Sequence, residues 1–366
     1  MRKKLRPGRV LVAGYGTVAL AGTLLLMLPW ASTAAGSASF LEAWFTATSA
    51  LTVTGLVVVN TSTHWTVFGQ AVILILMQIG GLGLMVIATM FLTLLGHRIQ
   101  LGHRLLVAQD RNYFDTTGVI KLVRNIFLLS LALEGIGALF MAVLFPGIWE
   151  KGPGHGLFFI TFHAVSAFNG AGFDITGESL LPYRYNPGLS VVFSLLVLLG
   201  SLGYVVLHEV LLVRRWRRLS LHSRLVLWVT GAITLFGSAF YFLSEYSRLM
   251  ASLPLGQKLV ESLFQAATRT AGFTTVPVTS WNEPFIFIMI LMMFVGASPG
   301  SVGGGIKTTT FGVIILAVMA LARGKKEVVI FEREISPEGV SRAFTVTVFA
   351  LILVNFCTLA LMIVEG

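Results

Sequence analysis

Seven long apolar stretches run through the sequence, at about 10–30, 67–95, 125–148, 187–213, 225–246, 284–322 and 343–364. Each is long enough to cross ~30 Å of hydrocarbon as a helix rising ~1.5 Å per residue. The pattern therefore predicts seven membrane-spanning helices. The sixth stretch is too long for one clean crossing and is broken in its middle. Shorter apolar pieces lie between the first and second stretches, the third and fourth, and the fifth and sixth. They read "FLEAWFTATSALTVTGLVV" (40–58), "GLFFITFHAVSAFNGAGFD" (156–174) and "KLVESLFQAATRTAGFTT" (258–275). Each runs into a glycine before it could span.

Composition agrees with the pattern. Hydrophobic residues make up 55% of the chain and charged residues 11%, where a soluble domain carries about a quarter charged. Mean hydropathy is +0.85. The expected fold class is an all-α integral membrane protein. The basic start "MRKKLRPGRV" lacks a following small-residue cleavage site, so the first apolar run reads as a retained span. Cys357 is the single cysteine, which excludes an intrachain disulfide and any multi-cysteine metal site.

The net charge of +10 would suggest nucleic acid in a soluble protein, but its distribution says otherwise. Positive residues cluster in fives: Arg2, Lys3, Lys4, Arg6 and Arg9 before the first span; Arg98, Arg104, Arg111, Lys121 and Arg124 after the second; Arg214, Arg215, Arg217, Arg218 and Arg224 after the fourth; Arg323, Lys325, Lys326, Arg333 and Arg342 after the sixth. The opposite loops hold only Lys151, Arg184, Arg248 and Lys258. Positive residues mark the cytoplasmic side, so the N-terminus is expected in the cytoplasm and nucleic acid drops out as a partner. Trp30, Trp65, Trp149 and Trp281 fall near the outer span ends, as an aromatic belt does.

Aligned on Gly55, Gly172 and Gly272, the three short pieces show Ala50, Ala167 and Ala267 five residues earlier, Ser49, Ser166 and Ala266 six earlier, and Leu56, Phe173 and Phe273 one later. The following spans match too, through "IGGLGL" (79–84), "LGSLGY" (199–204) and "VGASPGS" (295–301). This is an internal repeat of span, re-entrant loop and span. The units run 1–97, 98–218 and 219–326, and 327–366 begins a fourth with its first span alone. A re-entrant loop at membrane depth is tolerated where it lines a water-filled path. Rings of backbone carbonyls can there replace the hydration shell of a potassium ion. Turning a carbonyl inward often needs φ > 0, which glycine adopts readily. A lone glycine would serve helix packing as well; three aligned ones favour a pore.

At these residues the chain resembles the Trk/Ktr/HKT superfamily of potassium transporters, most closely the Ktr-type membrane subunit. "TATSALTVTGLVVVNT", "FHAVSAFNGAGFD", "QAATRTAGFTT" and "GASPGSVGGGIKTTTFG" carry the likeness, which covers essentially the whole chain. The resemblance implies tandem helix–pore loop–helix repeats around a pseudo-fourfold pore, a homodimer in membrane lipid, and a cytoplasmic nucleotide-binding regulatory ring. It implies potassium uptake across the cell membrane, with no enzyme activity and no cofactor in this chain. Sodium stands as a candidate activator. The implied filter residues are Thr54 and Gly55, then Asn169, Gly170, Ala171 and Gly172, then Thr270, Ala271 and Gly272. Three and a half units are present instead of four. A fourth loop would fall near 387–395, so either the sequence is truncated, the reading favoured here, or a partner closes the pore.

The segment 296–310 breaks the sixth span with Gly296, Gly300, Gly303, Gly304 and Gly305 beside Ser298 and Pro299. In a helix each Gly costs roughly 1 kcal/mol and Pro ~3. The resemblance makes this a flexible gate loop below the filter; the plainer reading is a kink. Lys307 ends it, either snorkelling to the cytoplasm or setting an electrostatic barrier. Arg269 is expected to point away from the ion and support the filter from behind. Asp174 is its candidate carboxylate, or else sits at the outer mouth. Glu134 lies deep in the third span, in a functional or a packing role. His163 is expected to pack or hydrogen-bond, and Asn169 to pin its loop.

No nucleophile–base set, metal spacing or phosphate loop occurs, so a nucleotide would bind another subunit. An alternating-access cation carrier is the alternative; it would call for inverted repeats and paired carboxylates, whereas these repeats are parallel. A non-conducting fragment lacking the fourth unit is the other.

Overall fold

The computed structural model describes residues 7–33, 37–84, 86–89, 119–213, 215–325, 327–331 and 333–365. Helix α1 (Pro7–Leu26) leads to the shorter α2 (Phe40–Leu51), an extended stretch, and α3 (Val67–Leu82). The order then returns as α4 (Val119–Leu144), α5 (Pro153–Asn169) and α6 (Pro187–Leu202), which breaks into α7 (Tyr204–Val213). It returns again as α8 (Leu221–Glu245), α9 (Leu255–Ala267) and α10 (Glu283–Phe294). After a loop come α11 (Thr308–Ala322), an antiparallel hairpin of β1 (Val328–Ile330) and β2 (Arg333–Ile335), and α12 (Pro337–Glu365). The hairpin, with three residues in each strand, is too short to have shown in the hydropathy pattern.

Helices α1, α4, α8 and α12 are long and apolar enough to cross a membrane by themselves. The helices that follow the short ones differ from the expectation of single clean spans at 67–95 and 187–213. Helix α3 stops at Leu82 with Gly83 at φ +83°, and α6 turns by 104° into α7 at Gly203, φ +86°. Only the third break, between α10 and α11, was visible as a glycine-rich run. Residues 90–95 of the second stretch, and Arg2, Lys3, Lys4, Arg6, Arg98, Arg104, Arg111, Arg214 and Lys326, lie outside the described residues.

Capping starts the elements where the sequence places them. Ser39 and Glu42 form a reciprocal capping box on α2. The Ser39 amide and hydroxyl hold the exposed Glu42 carboxyl below its usual range. Thr66, Asn186, Ser220 and Asn282 cap α3, α6, α8 and α10 through side-chain oxygens. Helix α5 begins with Pro153 at its first turn and ends against Gly170 in the left-handed region.

The short helices occupy the interior. Every residue of α5 from Phe162 to Asn169 is buried. A helix buried all round belongs inside a bundle, not on its lipid face. Helix α2 packs between α1 and α3, where Gly22 gives Leu76 and Ala47 the room they need. Helix α5 packs against α3, α4 and α6, and α9 against α6 and α8.

Candidate functional site

Each short helix delivers the chain into a loop of the same construction. The loops carry Gly55 at φ +77°, Gly172 at φ +72° and Gly272 at φ +78°. Side-chain-bearing residues rarely adopt that region. A hydroxyl of the preceding helical segment clamps the carbonyl just past each glycine. Ser49 Oγ donates to Leu56 O at 2.7 Å and Ser166 Oγ to Phe173 O at 2.6 Å, while Thr268 Oγ1 shares its one proton between Phe273 O at 2.9 Å and Phe264 O at 2.8 Å. The third unit has Ala266 at the aligned serine position, and its hydroxyl comes from Thr268 instead. Backbone amides reinforce the turn: Thr54 N donates to Ser49 O at 2.9 Å, Ala171 N to Ser166 O at 2.8 Å, and Gly272 N to Thr268 O at 3.0 Å.

The three loops meet. A β-carbon on Gly55 would run into the Ala171 carbonyl oxygen, and one on Gly172 into the Ala271 carbonyl oxygen. The β-carbon on Gly55 would also come within 3.2 Å of Gly172 Cα. Carbonyl groups of one loop thus face the glycine of the next. Among the described residues, nothing lies within 4 Å of a β-carbon placed on Gly272. Thr54 Oγ1 sits 2.7 Å from Thr52 Oγ1, and Thr268–Thr270 form a tight 3-10 turn before Ala271.

The supporting residues divide. Asn169 is fully buried, and the two protons of its Nδ2 are shared among Val165 O at 2.9 Å, Gln78 Oε1 at 3.0 Å and Glu134 Oε1 at 3.3 Å. Arg269 is buried, and its Nη1 donates to the Ala266 carbonyl at 3.2 Å. The structure does not bring Asp174 to it. The Asp174 carboxylate accepts from Thr176 Oγ1 at 2.7 Å, Gly177 N at 2.7 Å and Ser179 N at 3.2 Å, so its own loop satisfies it. His163 is fully buried, with Nδ1 2.8 Å from Phe159 O and its ring against Phe145 and Phe159.

Past Phe294 the chain folds back on itself through Gly296, Ser298, Pro299, Gly300, Gly303, Gly304 and Gly305. Gly296 N donates to Ile306 O at 2.9 Å and Ala297 N to Gly304 O at 3.1 Å. Ser298 Oγ lies 3.0 Å from Thr308 Oγ1, and the Lys307 ammonium donates to Gly303 O at 2.7 Å. This loop docks on the α6–α7 break. Ser298 N donates to Ser201 O at 3.0 Å and Tyr204 N to Gly300 O at 3.4 Å. Gly200 links the two regions, because a β-carbon there would meet both the Phe168 carbonyl at the end of α5 and the Val302 side chain. Gly80 stands in the same relation to the Leu51 carbonyl at the end of α2.

Several participants escaped the sequence reading. Gln78 was passed over inside an apolar run, although a lone amide there is itself a signal. The Thr268 clamp was hidden because it is displaced by two residues. Glu261 was also missed: it accepts from Thr275 Oγ1 at 2.6 Å, just after the third loop, and its Oε1 lies 3.9 Å from Arg184 Nε. Among the described residues no cluster of metal-ligating side chains occurs.

Comparison with known proteins shows the family and the fold. The family model described as TrkH, cation transport protein, matches residues 10–365. The chain is 42% identical over 366 residues to the Ktr system potassium uptake protein B of Bacillus subtilis (strain 168), covering 99% of this chain and 81% of that protein. It is 35% identical over 367 residues to the potassium/sodium uptake protein NtpJ of Enterococcus hirae, covering 100% of this chain and 80% of that one. The crystal structure of the potassium transporter TrkH from Vibrio parahaemolyticus shares the fold, with a TM-score of 0.72 over 99% of this chain and 73% of that chain at 18% identity.

Proposed function

The chain belongs to the TrkH family of cation transport proteins, and from that premise we propose that it takes up potassium through a pore whose selective stretch is formed by the loops at Gly55, Gly172 and Gly272. One observation carries the reading: three glycines at matched positions share φ between +72° and +78°, and two of them receive a neighbouring loop's carbonyl where a side chain would begin. A carbonyl-lined path suits a dehydrated alkali cation. The names of the relatives, which specify potassium or potassium and sodium uptake, point to the same cargo.

The segment from Gly296 to Lys307 is the gate in this reading. Its support is a glycine-rich fold held by backbone hydrogen bonds between two broken helices, which a modest force could rearrange. The units divide near residues 97, 218 and 326, and act as quadrants of one pore. The N-terminus is cytoplasmic, by the clustering of basic residues. A cytoplasmic nucleotide-binding ring acts on the gate, a statement that rests on the resemblance and on the word "system" in the relatives' names; that two copies form a dimer rests on the resemblance alone. Sodium activation rests on the resemblance and on the name of the potassium/sodium relative.

The test is potassium-dependent growth of an uptake-deficient host expressing the full-length protein with its regulator, together with rubidium flux into liposomes. Growth at low potassium and flux competed by potassium are the expected results. Membrane insertion without either would leave a scaffold in place of a transporter.

A further inference from the structure

Glu134 lies deep in α4, only 5% exposed, and among the described residues no lysine, arginine or histidine stands within ion-pair distance of it. A carboxyl in such a place is costly and is retained where it does something. Ser130 Oγ donates to Oε1 at 2.8 Å. Gln78 Nε2 donates to Oε1 at 3.1 Å and to Oε2 at 3.2 Å. Asn169 Nδ2 shares its two protons among Oε1 at 3.3 Å, Gln78 Oε1 at 3.0 Å and the Val165 carbonyl of its own helix at 2.9 Å. Three helices are thereby tied together: α3 through Gln78, α4 through Ser130 and Glu134, and α5 through Asn169.

The network ends at two of the loops. Asn169 is followed by Gly170 and Ala171, whose carbonyl oxygen abuts Gly55. Gln78 is followed by Gly80, packed under the Leu51 carbonyl at the end of α2, and by Gly81, which lies against the Asn169 amide. The positions aligned with Asn169 are Thr52 and Arg269 in the other units, so this brace is not a general requirement of the repeat.

We propose that Glu134 is a positioning residue which, through Gln78 and Asn169, fixes the contact between the first and second filter loops and thereby sets the preference for potassium over sodium. The inference rests on the filter reading. Its chemistry is an acceptor hub: both Gln78 and Asn169 point N–H groups at one carboxyl. Glu134→Gln keeps one acceptor oxygen and replaces the other by an NH2 group, which sets a donor against the Gln78 or Asn169 amide. Exchanging the two groups, Gln78→Glu with Glu134→Gln, puts the carboxyl on α3. It restores one acceptor facing Asn169 and one amide facing the carboxyl.

The experiment measures rubidium uptake by the full-length transporter in its regulated complex, with the potassium KM, the maximal rate and inhibition by sodium. Loss of one buried hydrogen bond is worth up to about tenfold in an equilibrium constant. Glu134→Gln is therefore expected to raise KM about tenfold and weaken discrimination against sodium, with the maximal rate within about twofold. The exchange variant is expected to return KM and discrimination to wild-type values. An unchanged KM in Glu134→Gln overturns the proposal. So does an exchange variant that is absent from the membrane or as impaired as the single one. If Glu134→Gln does not insert, recovery of wild-type selectivity by the exchange still supports the proposal. Gly172→Ser is measured alongside: unchanged selectivity there would overturn the filter reading itself, whereas altered selectivity there with an unaffected Glu134→Gln would overturn this inference alone.

Discussion

The Ala171 carbonyl oxygen occupies the place where a β-carbon on Gly55 would have to go. Neighbouring loops are therefore in register at backbone level, and the glycine is required twice, by its φ of +77° and by this contact. The left-handed region costs a side-chain-bearing residue about 1–2 kcal/mol before any collision. Gly55→Ser should lower potassium-over-sodium preference about tenfold or more. Relative uptake of rubidium with and without competing sodium reads it. An unchanged ratio would place the selective stretch elsewhere.

The hydroxyl clamps predict a pattern across the units. Ser49→Ala, Ser166→Ala and Thr268→Ala each remove one bond to the carbonyl after a glycine, worth about 1 kcal/mol. Thr268→Ser keeps its oxygen and should behave as wild type. Ala266→Ser should not replace Thr268, because the third loop is clamped from two residues further on. Thermal unfolding in detergent and the potassium KM both check this. Equal tolerance of Thr268→Ala and Thr268→Ser would remove the clamp from the account.

The contact between Gly203 and Pro299 makes a prediction for the gate. A β-carbon on Gly203 would sit 2.8 Å from the Pro299 carbonyl oxygen, and the glycine holds φ at +86°. Gly203→Ala should dislodge the loop from the α6–α7 break, raising flux without the regulator and narrowing the regulator's effect. Shortening Gly303–Gly305 should act in the same direction. Liposome flux with and without regulator decides between this and a static kink, for which both variants would only lose flux.

Much of this arrangement was legible because the repeat is written in residues that the backbone itself demands. Gly55, Gly172 and Gly272 hold φ values that side-chain-bearing residues rarely adopt, so aligning them located all three loops. The breaks at Gly83 and Gly203 were less legible. A lone glycine inside an apolar run looks like ordinary membrane-helix composition, and its φ is decided by what docks there. Of the two places expected for Asp174, the one beside Arg269 is not taken, for a related reason. Charge complementarity suggested Arg269, but a carboxylate on a tight loop finds backbone amides within three to five residues, and those at Gly177 and Ser179 satisfy it. The Gln78–Glu134–Asn169 network joins residues up to 91 positions apart, and no spacing rule in one sequence brings them together.

Lys307 offers the sharpest test of how the gate is closed. Its ammonium donates to the Gly303 carbonyl at 2.7 Å, so the side chain ties the loop end to its middle and, in the proposed reading, would hold a positive charge beside the cation path. A snorkelling lysine would do neither. Lys307→Met removes charge and bond while keeping most of the apolar stem. Lys307→Arg keeps the charge and a donor, though with a planar group that fits a single carbonyl less well. If charge forms the barrier, Lys307→Met should raise regulator-independent potassium flux several-fold, and Lys307→Arg should stay near wild type. If the tether to Gly303 matters more, both variants should leak, the arginine less. Flux in liposomes at two ionic strengths separates these outcomes, because the repulsion weakens as salt shortens the Debye length from ~10 Å at 0.1 M to ~3 Å at 1 M. Wild-type flux from both variants would assign Lys307 to the membrane interface and leave the gate to the glycines alone.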